Sequence, residues 1–135
     1  MKYLKPLVVT CSLALLTTVA FAQPTVLNAV GPETDTVQAN DYVGTLIAYT
    51  ATEQRADGAY TFRYPHTSYE VYRDGHPFRF VRNGQTLELE TPTNVTLPKG
   101  NYVVVAQSEN DGTVKVPVRI ETGRTTVLHL DGSKS

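Results

Sequence analysis

The clearest pattern in the chain is the alternation of apolar and polar residues in its last third. Every second residue of 113–121 is apolar: Val114, Val116, Val118 and Ile120. Residues 124–130 continue this period, with Thr126, Leu128 and Leu130 on one side. A two-residue period is typical of a strand that buries one face and exposes the other. Both segments are therefore predicted to be strands.

Shorter segments of the same kind precede them, separated by turn residues. Strands are predicted at 43–51, 60–64, 68–73, 78–82, 86–90, 94–97 and 101–107. Asp74-Gly75 has the strongest hairpin signal, because the type I′ turn of a two-residue hairpin needs positive φ at both central positions. Asn83-Gly84 is a second predicted turn. Pro117 is predicted to sit at a sheet edge or bulge, because proline donates no ladder hydrogen bond.

No segment has a convincing helical period. Strands with one apolar face must bury that face against another sheet, and short turns favour antiparallel neighbours. The predicted fold is therefore all-β, a Greek-key antiparallel β-sandwich of about seven to nine short strands. A small barrel is the alternative.

The N-terminus has a different pattern. Lys2 and Lys5 precede an apolar run over 7–20, and Ala20-Phe21-Ala22 offers the small residues that a signal peptidase accepts. The run is too short for the roughly 20 residues that span a bilayer. Residues 1–22 are predicted to be a signal peptide, 23–42 an extended arm or loop, 43–132 the sandwich domain and 133–135 a polar tail. The protein is expected to be periplasmic or secreted, with no membrane span after cleavage.

Composition narrows the functional classes. Loss of Lys2 and Lys5 leaves ten Lys and Arg against thirteen Asp and Glu, a net charge of −3. This balance argues against nucleic-acid binding, which needs a concentrated cationic face. Cys11 is the only cysteine and lies in the leader, so the mature chain has no disulfide or thiolate chemistry. No cofactor is expected.

Catalytic motifs are missing as well. The sequence has no G-x-S-x-G elbow for a serine nucleophile. His66, His76 and His129 are far apart along the chain, without the tight ligand spacing of a zinc site. No catalytic or metal residue is predicted, although the sequence leaves open whether the three histidines converge in the fold.

Residues 60–82 are rich in aromatic side chains interleaved with arginines. Such surfaces stack on sugar rings or anchor protein partners. The predicted binding residues are Tyr60, Tyr64, His66, Tyr69, Tyr72 and Arg73. In the alternative interpretation Phe62, Val71, Phe78 and Phe80 are core residues and the tyrosines cap sheet edges. Alternation places Tyr69 and Val71 on the face opposite to Tyr72, so one set should be exposed.

Residues 95–104 read VTLPKGNYVV, which resembles the V-x-L-P-x-G-x-Y-x-V segment of carboxypeptidase regulatory-like domains. Residues 116–120 (VPVRI), 123–130 (GRTTVLHL) and 69–75 (YEVYRDG) continue the likeness over about 44–132. These domains belong with transthyretin-like and PEGA-type modules. The resemblance implies a prealbumin-like sandwich in an exported, non-catalytic accessory protein, and it carries over no functional residue.

The expected function is therefore that of a binding or accessory module of the cell envelope, with a glycan or a protein as ligand. One alternative is a transthyretin-like hydrolase such as hydroxyisourate hydrolase. Those enzymes end in Tyr-Arg-Gly-Ser, whereas this chain ends in HLDGSKS from His129 onwards. The other alternative is a structural docking domain of a secreted assembly. Edge strands invite dimerisation, but the sequence leaves the oligomeric state open.

Overall fold

The computed structural model describes residues 22–32, 42–85 and 90–133. Residues 1–21 of the predicted signal peptide lie outside these ranges, as do four of the five residues of the strand predicted at 86–90. The described residues form ten strands and no helix, so none of them forms a helix that could cross a membrane. The strands are β1 (Thr25–Val26), β2 (Val43–Tyr49), β3 (Arg55–Ala56), β4 (Phe62–Arg63), β5 (Tyr69–Arg73), β6 (His76–Val81), β7 (Asn94–Pro98), β8 (Gly100–Ser108), β9 (Gly112–Ile120) and β10 (Thr125–His129).

The strands form two main sheets, which confirms the predicted all-β, sandwich-like fold. The larger sheet has the order β1-β9-β8-β5-β6, and the smaller has the order β10-β2-β7. β3 and β4 form a separate two-stranded ribbon. Most neighbours are antiparallel, but β1 runs parallel to β9 and β10 runs parallel to β2. Alternation along a strand shows which side chains share a face and carries no information about strand direction, so these parallel pairs had no sequence signal.

The core lies between the two sheets and is built by the predicted alternation. Val114, Val116, Val118 and Ile120 of β9 are all buried. Leu128 and Leu130 face them from the smaller sheet, together with Leu46 and Leu97. Each fully buried aliphatic side chain stabilises the fold by about 1.5–3 kcal/mol relative to exposure.

Thr126 is the polar member of the inward-facing set and is fully buried. Its hydroxyl donates to the Arg119 carbonyl oxygen at 3.0 Å. That bond offsets the cost of removing the hydroxyl from water. A threonine is therefore tolerated in the core at this point of β10.

The backbone around Pro117 explains how a proline fits inside the nine-residue strand β9. Pro117 pairs with Val103 of β8, but its carbonyl oxygen accepts a hydrogen bond of 2.8 Å from the Val30 N–H on the opposite side. The N–H and C=O of one strand residue point the same way. The missing N–H of Pro117 therefore lies on the outer side, where residues 27–30 run alongside, and the β8–β9 ladder loses no bond.

The hairpin between β5 and β6 forms at Asp74-Gly75, as predicted. Asp74 and Gly75 have φ values of 51° and 76°, the positive pair that a type I′ turn requires. The register then shifts, because Val71 pairs with Arg79 whereas Tyr72 pairs with Pro77. Phe78 is the extra residue of this β-bulge. Bulges re-aim side chains and interrupt pairing at sheet edges, and β6 is the last strand of the larger sheet.

Candidate ligand-binding groove

The structure divides the six predicted binding residues among three environments. Tyr60 is 95% exposed and Tyr64 is 51% exposed. Both lie on or beside the β3–β4 ribbon. The Tyr64 N–H donates to Glu90 Oε1 at 2.9 Å, which holds the end of the ribbon against the segment that leads to β7. These two tyrosines have the accessibility that a binding role needs.

His66 and Tyr69 are buried instead, at 7% and 1% exposure. His66 Nδ1 lies 2.6 Å from the Thr50 carbonyl oxygen, and Tyr69 packs in the core on the same face as Val71. The prediction that His66 and Tyr69 lie on an exposed contact surface is therefore wrong. Alternation along β5 carries Tyr69 inward, and the carbonyl partner keeps the imidazole inside.

Tyr72 and Arg73 are half-buried near the end of β5. The Tyr72 hydroxyl donates to Glu70 Oε2 at 2.6 Å. This hydrogen bond is the main reason that the pKa of Tyr72 is raised. The Arg73 guanidinium carbon lies 5.5 Å from the Tyr102 ring centre and 6.0 Å from that of Phe78. Arg73 is thus part of a cation–π cluster at one end of the sandwich, and the six residues do not form a single surface.

Three of the four residues considered as core are at the surface. Phe62, Phe78 and Phe80 are 51%, 41% and 56% exposed, whereas Val71 is fully buried. Phe62 belongs to the ribbon outside the main sheets, and the other two lie on edge strand β6. The exposure of these three residues follows from their position outside or at the edge of the main sheets and not from their hydrophobicity.

Two of the three histidines meet on one tyrosine. The Tyr49 ring stacks on His129 at 4.8 Å and 11°, and it meets His66 edge-on at 5.5 Å. His76 pairs with Arg73 in the hairpin of the other sheet. Within the described ranges, no group of three His, Cys, Asp or Glu side chains is arranged to hold a metal ion.

His129 also lies beside Ser133 and Asp131, the residue types of a hydrolytic triad. Ser133 Oγ donates to Asp131 Oδ1 at 2.5 Å, and His129 Nδ1 lies 3.1 Å from Ser133 Oγ. In a triad the serine donates to the histidine and the histidine donates to the acid. Here the serine proton points to the carboxylate, so the arrangement caps the C-terminal turn and does not activate a nucleophile.

The described residues form a groove of about 570 Å³ where the two sheets come together at β6 and β7. Its lining is mostly polar, with one large aromatic side chain. The lining residues are Arg79, Phe80, Val81, Arg82, Gln85, Thr93, Asn94, Val95 and Thr96. Phe80 also borders a smaller pocket of about 160 Å³ on its other side. An exposed aromatic ring among amides, hydroxyls and guanidinium groups is suited to a polar ligand with apolar faces.

Hydrogen bonds between the two edges fix the shape of the groove. Arg79 Nη1 donates to the Thr96 carbonyl oxygen at 3.0 Å, directly between β6 and β7. The Thr93 hydroxyl donates to the Arg82 carbonyl oxygen at 3.0 Å. These two bonds hold the rims together, so the backbone of the groove and the side chains of Arg79 and Thr93 are positioned before a ligand arrives.

The groove begins within the aromatic and arginine-rich segment 60–82, but none of the six predicted binding residues lines it. From the sequence, Arg79 and Arg82 belong only to the arginines interleaved with aromatics in residues 60–82, and Phe80 is either part of that segment or a core residue. Thr93, Asn94 and Thr96 had no signal, because nothing local shows that β7 faces β6 across the sandwich edge. No family model matches the chain, and neither a curated protein nor a solved structure matches it.

Proposed function

We propose that this chain is an exported, non-catalytic binding module of the cell envelope that binds a glycan in the groove between β6 and β7. The groove is the observation that carries the proposal. Its volume of about 570 Å³ falls within the range of ligand sites, about 300–1,000 Å³. The groove combines polar side chains with apolar surface, which suits a sugar, since a sugar has both hydroxyl groups and apolar faces.

Phe80 is the central contact in this proposal. It is 56% exposed and borders the groove. A large apolar ring in water gains free energy when a ligand with an apolar face covers it, and the pyranose ring has such a face. The neighbouring Asn94 and Gln85 amides both donate and accept hydrogen bonds, which suits hydroxyl groups of either orientation.

The scaffold also suits binding. The groove lies at the edges of two strands that are anchored in the main sheets, so it needs little ordering when a ligand binds. Export is supported by the sequence of residues 1–22. It predicts that the protein isolated from the envelope fraction begins at Gln23, which N-terminal sequencing measures.

The test is affinity electrophoresis of the purified protein through gels that contain single polysaccharides, neutral and acidic. Phe80→Ala is the test variant and Phe62→Ala is its matched control, since Phe62 is 51% exposed but lies on the β3–β4 ribbon. We expect at least one polysaccharide to retard the wild type, Phe80→Ala to lose about tenfold in affinity, and Phe62→Ala to bind normally. If no polysaccharide retards the wild type, or if the two variants behave alike, the groove is not a glycan site.

A further inference from the structure

The charge of the groove narrows the class of glycan. Arg79 and Arg82 line it, and none of the described residues that line it is an Asp or Glu. The other lining residues that the structure describes are neutral. We infer that the ligand is an acidic polysaccharide, whose sugars carry carboxylate or sulfate groups. This inference rests on the proposed function and specifies the ligand of the same site.

Arg82 is better placed than Arg79 to bind an acidic group of the ligand. Its side chain forms no hydrogen bond or ion pair with any other described residue, and its backbone is fixed by the bond from Thr93 Oγ. Arg79 uses Nη1 to reach Thr96 and keeps its other N–H donors. Guanidinium groups present paired donors that match the two oxygens of a carboxylate or the oxygens of a sulfate.

The Cα atoms of the two arginines are three residues apart on an extended chain, which corresponds to about 10 Å, and both residues line the groove. A single charged sugar reaches one of them, whereas a polymer with repeated charges engages both at once. Binding should therefore increase with chain length. It should also weaken with salt, since exposed charges are screened over about 8 Å at physiological ionic strength.

An acidic peptide is the competing ligand, and the strand edges argue against it. A peptide usually binds at a sheet edge by continuing the backbone ladder. β6 is interrupted by Pro77 and by the bulge at Phe78, and β7 ends in Pro98. The Thr96 carbonyl oxygen already accepts from Arg79. Neither edge offers a continuous ladder, so recognition through side chains is favoured.

Glu70 is an acidic residue that pairs with Phe80 across the β5–β6 ladder. It borders the smaller pocket beyond Phe80 and accepts a hydrogen bond from the Tyr72 hydroxyl. The chain as a whole has a net charge of −1. Attraction of an acidic polymer therefore has to come from a local cluster of cations, such as Arg79 and Arg82 in the groove.

The experiment measures affinity for four polymers of similar length: polygalacturonate, dextran sulfate, neutral dextran and poly-L-glutamate. The variants are Arg82→Gln and Arg119→Gln. Arg119 is a matched control, because its side chain is 67% exposed and it lies on β9, near the opposite edge of the larger sheet. Both variants remove one positive charge and leave the net charges equal.

We expect one of the acidic polysaccharides to bind most tightly. Its affinity should fall at least fivefold in Arg82→Gln and in high salt, and should change less than twofold in Arg119→Gln. The comparison of polygalacturonate with dextran sulfate shows which anionic group is preferred. The inference is overturned if dextran or poly-L-glutamate binds most tightly. It is also overturned if the two variants lose the same amount of affinity. If neutral dextran binds and Phe80→Ala loses that binding, the proposed function still holds. If no polysaccharide binds, both the proposed function and the inference are rejected.

Discussion

Asn83 Oδ1 accepts a hydrogen bond of 2.9 Å from the Thr93 N–H, which ties the chain just after β6 to the residue just before β7. The same side chain donates from Nδ2 to the Thr67 carbonyl oxygen at 3.0 Å. Asn83 is only 5% exposed. The groove therefore depends on a buried amide for which the Asn83-Gly84 sequence predicts only a turn.

We expect Asn83→Ala to destabilise the fold by about 1–2 kcal/mol, because it removes the two hydrogen bonds that this buried amide makes to Thr67 and Thr93, while the Thr67 carbonyl oxygen keeps the Thr50 hydroxyl as a donor. Asn101→Ala removes an exposed amide from β8 and serves as the control. Urea unfolding followed by circular dichroism measures both changes. Equal stability of Asn83→Ala and the wild type would show that this amide does not hold the two edges together.

A second prediction concerns Gly44 in β2, where the chain from Ile120 to Arg124 passes close by. A Cβ at Gly44 would overlap the Glu121 carbonyl oxygen and crowd the Ile120 side chain. The backbone here is held by the bond from the Thr45 N–H to the Arg124 carbonyl oxygen at 2.9 Å. We expect Gly44→Ala to cost about 1–3 kcal/mol or more.

Gly31→Ala is the control for Gly44→Ala, since a Cβ at Gly31 meets no atom within 4 Å. Thermal unfolding compares the two variants with the wild type. A Tm for Gly44→Ala equal to that of Gly31→Ala would mean that the 120–124 segment does not pass over β2 as described.

The third prediction concerns the effect of Tyr69 on the stability of the fold at alkaline pH. Burial raises the pKa of this phenol well above its usual value near 10. Above pH 10 the unfolded chain releases the proton while the folded chain keeps it, so stability falls as pH rises. Between pH 9 and pH 11, we expect the free energy of unfolding to fall by about 1 kcal/mol less in Tyr69→Phe than in the wild type.

At neutral pH Tyr69→Phe should be at least as stable as the wild type. The Tyr69 hydroxyl is buried without a hydrogen-bond partner among the described residues, so its removal leaves nothing unpaired there. Urea unfolding at several pH values measures both effects. Identical pH dependence in wild type and variant contradicts the burial of this side chain.

The fourth prediction concerns Asp131 at acid pH. Burial acts to raise the pKa of Asp131, but hydrogen bonds from the Ser133 hydroxyl and amide, with His129 nearby, bring it below its usual value. A carboxyl group whose pKa is lowered on folding stabilises the fold above its unfolded pKa, near 3.9, and this contribution is lost as pH falls below it.

Ser133→Ala removes the hydroxyl and should reduce stability by about 0.5–1 kcal/mol at pH 7. The difference from wild type should shrink as pH falls through 4 and below. Chemical unfolding at pH 7, 5 and 3 checks this trend. A difference that does not change with pH would show that the serine acts by packing and not through the carboxylate.

Much of the fold could be predicted because it depends on local rules. The period of 113–121 fixed which side chains of β9 are buried, and Asp74-Gly75 fixed the β5–β6 hairpin. These features follow from strand geometry and turn conformation, which a few adjacent residues determine. The expectation that Pro117 lies at a sheet edge or bulge was wrong, because β9 lies between β1 and β8 and the missing N–H of Pro117 faces residues 27–30.

The candidate site depends on long-range relationships, so it could not be predicted in the same way. Phe80 and Tyr69 are both aromatic residues in short strands, yet one is 56% exposed and the other 1%. The difference arises because β6 ends the larger sheet whereas Tyr69 faces the core. Thr96 joins the groove only because β7 ends the other sheet. No local pattern specifies which strands become edges.

The most direct test of the central claim is a two-dimensional NMR titration of the ¹⁵N-labelled protein with an oligosaccharide of the tightest-binding polymer. We expect the largest shift changes on the amides of residues 79–82 and 93–96, on the two sides of the groove. Changes centred instead on the ribbon at residues 60–64, or around Tyr49 and His129, would contradict it.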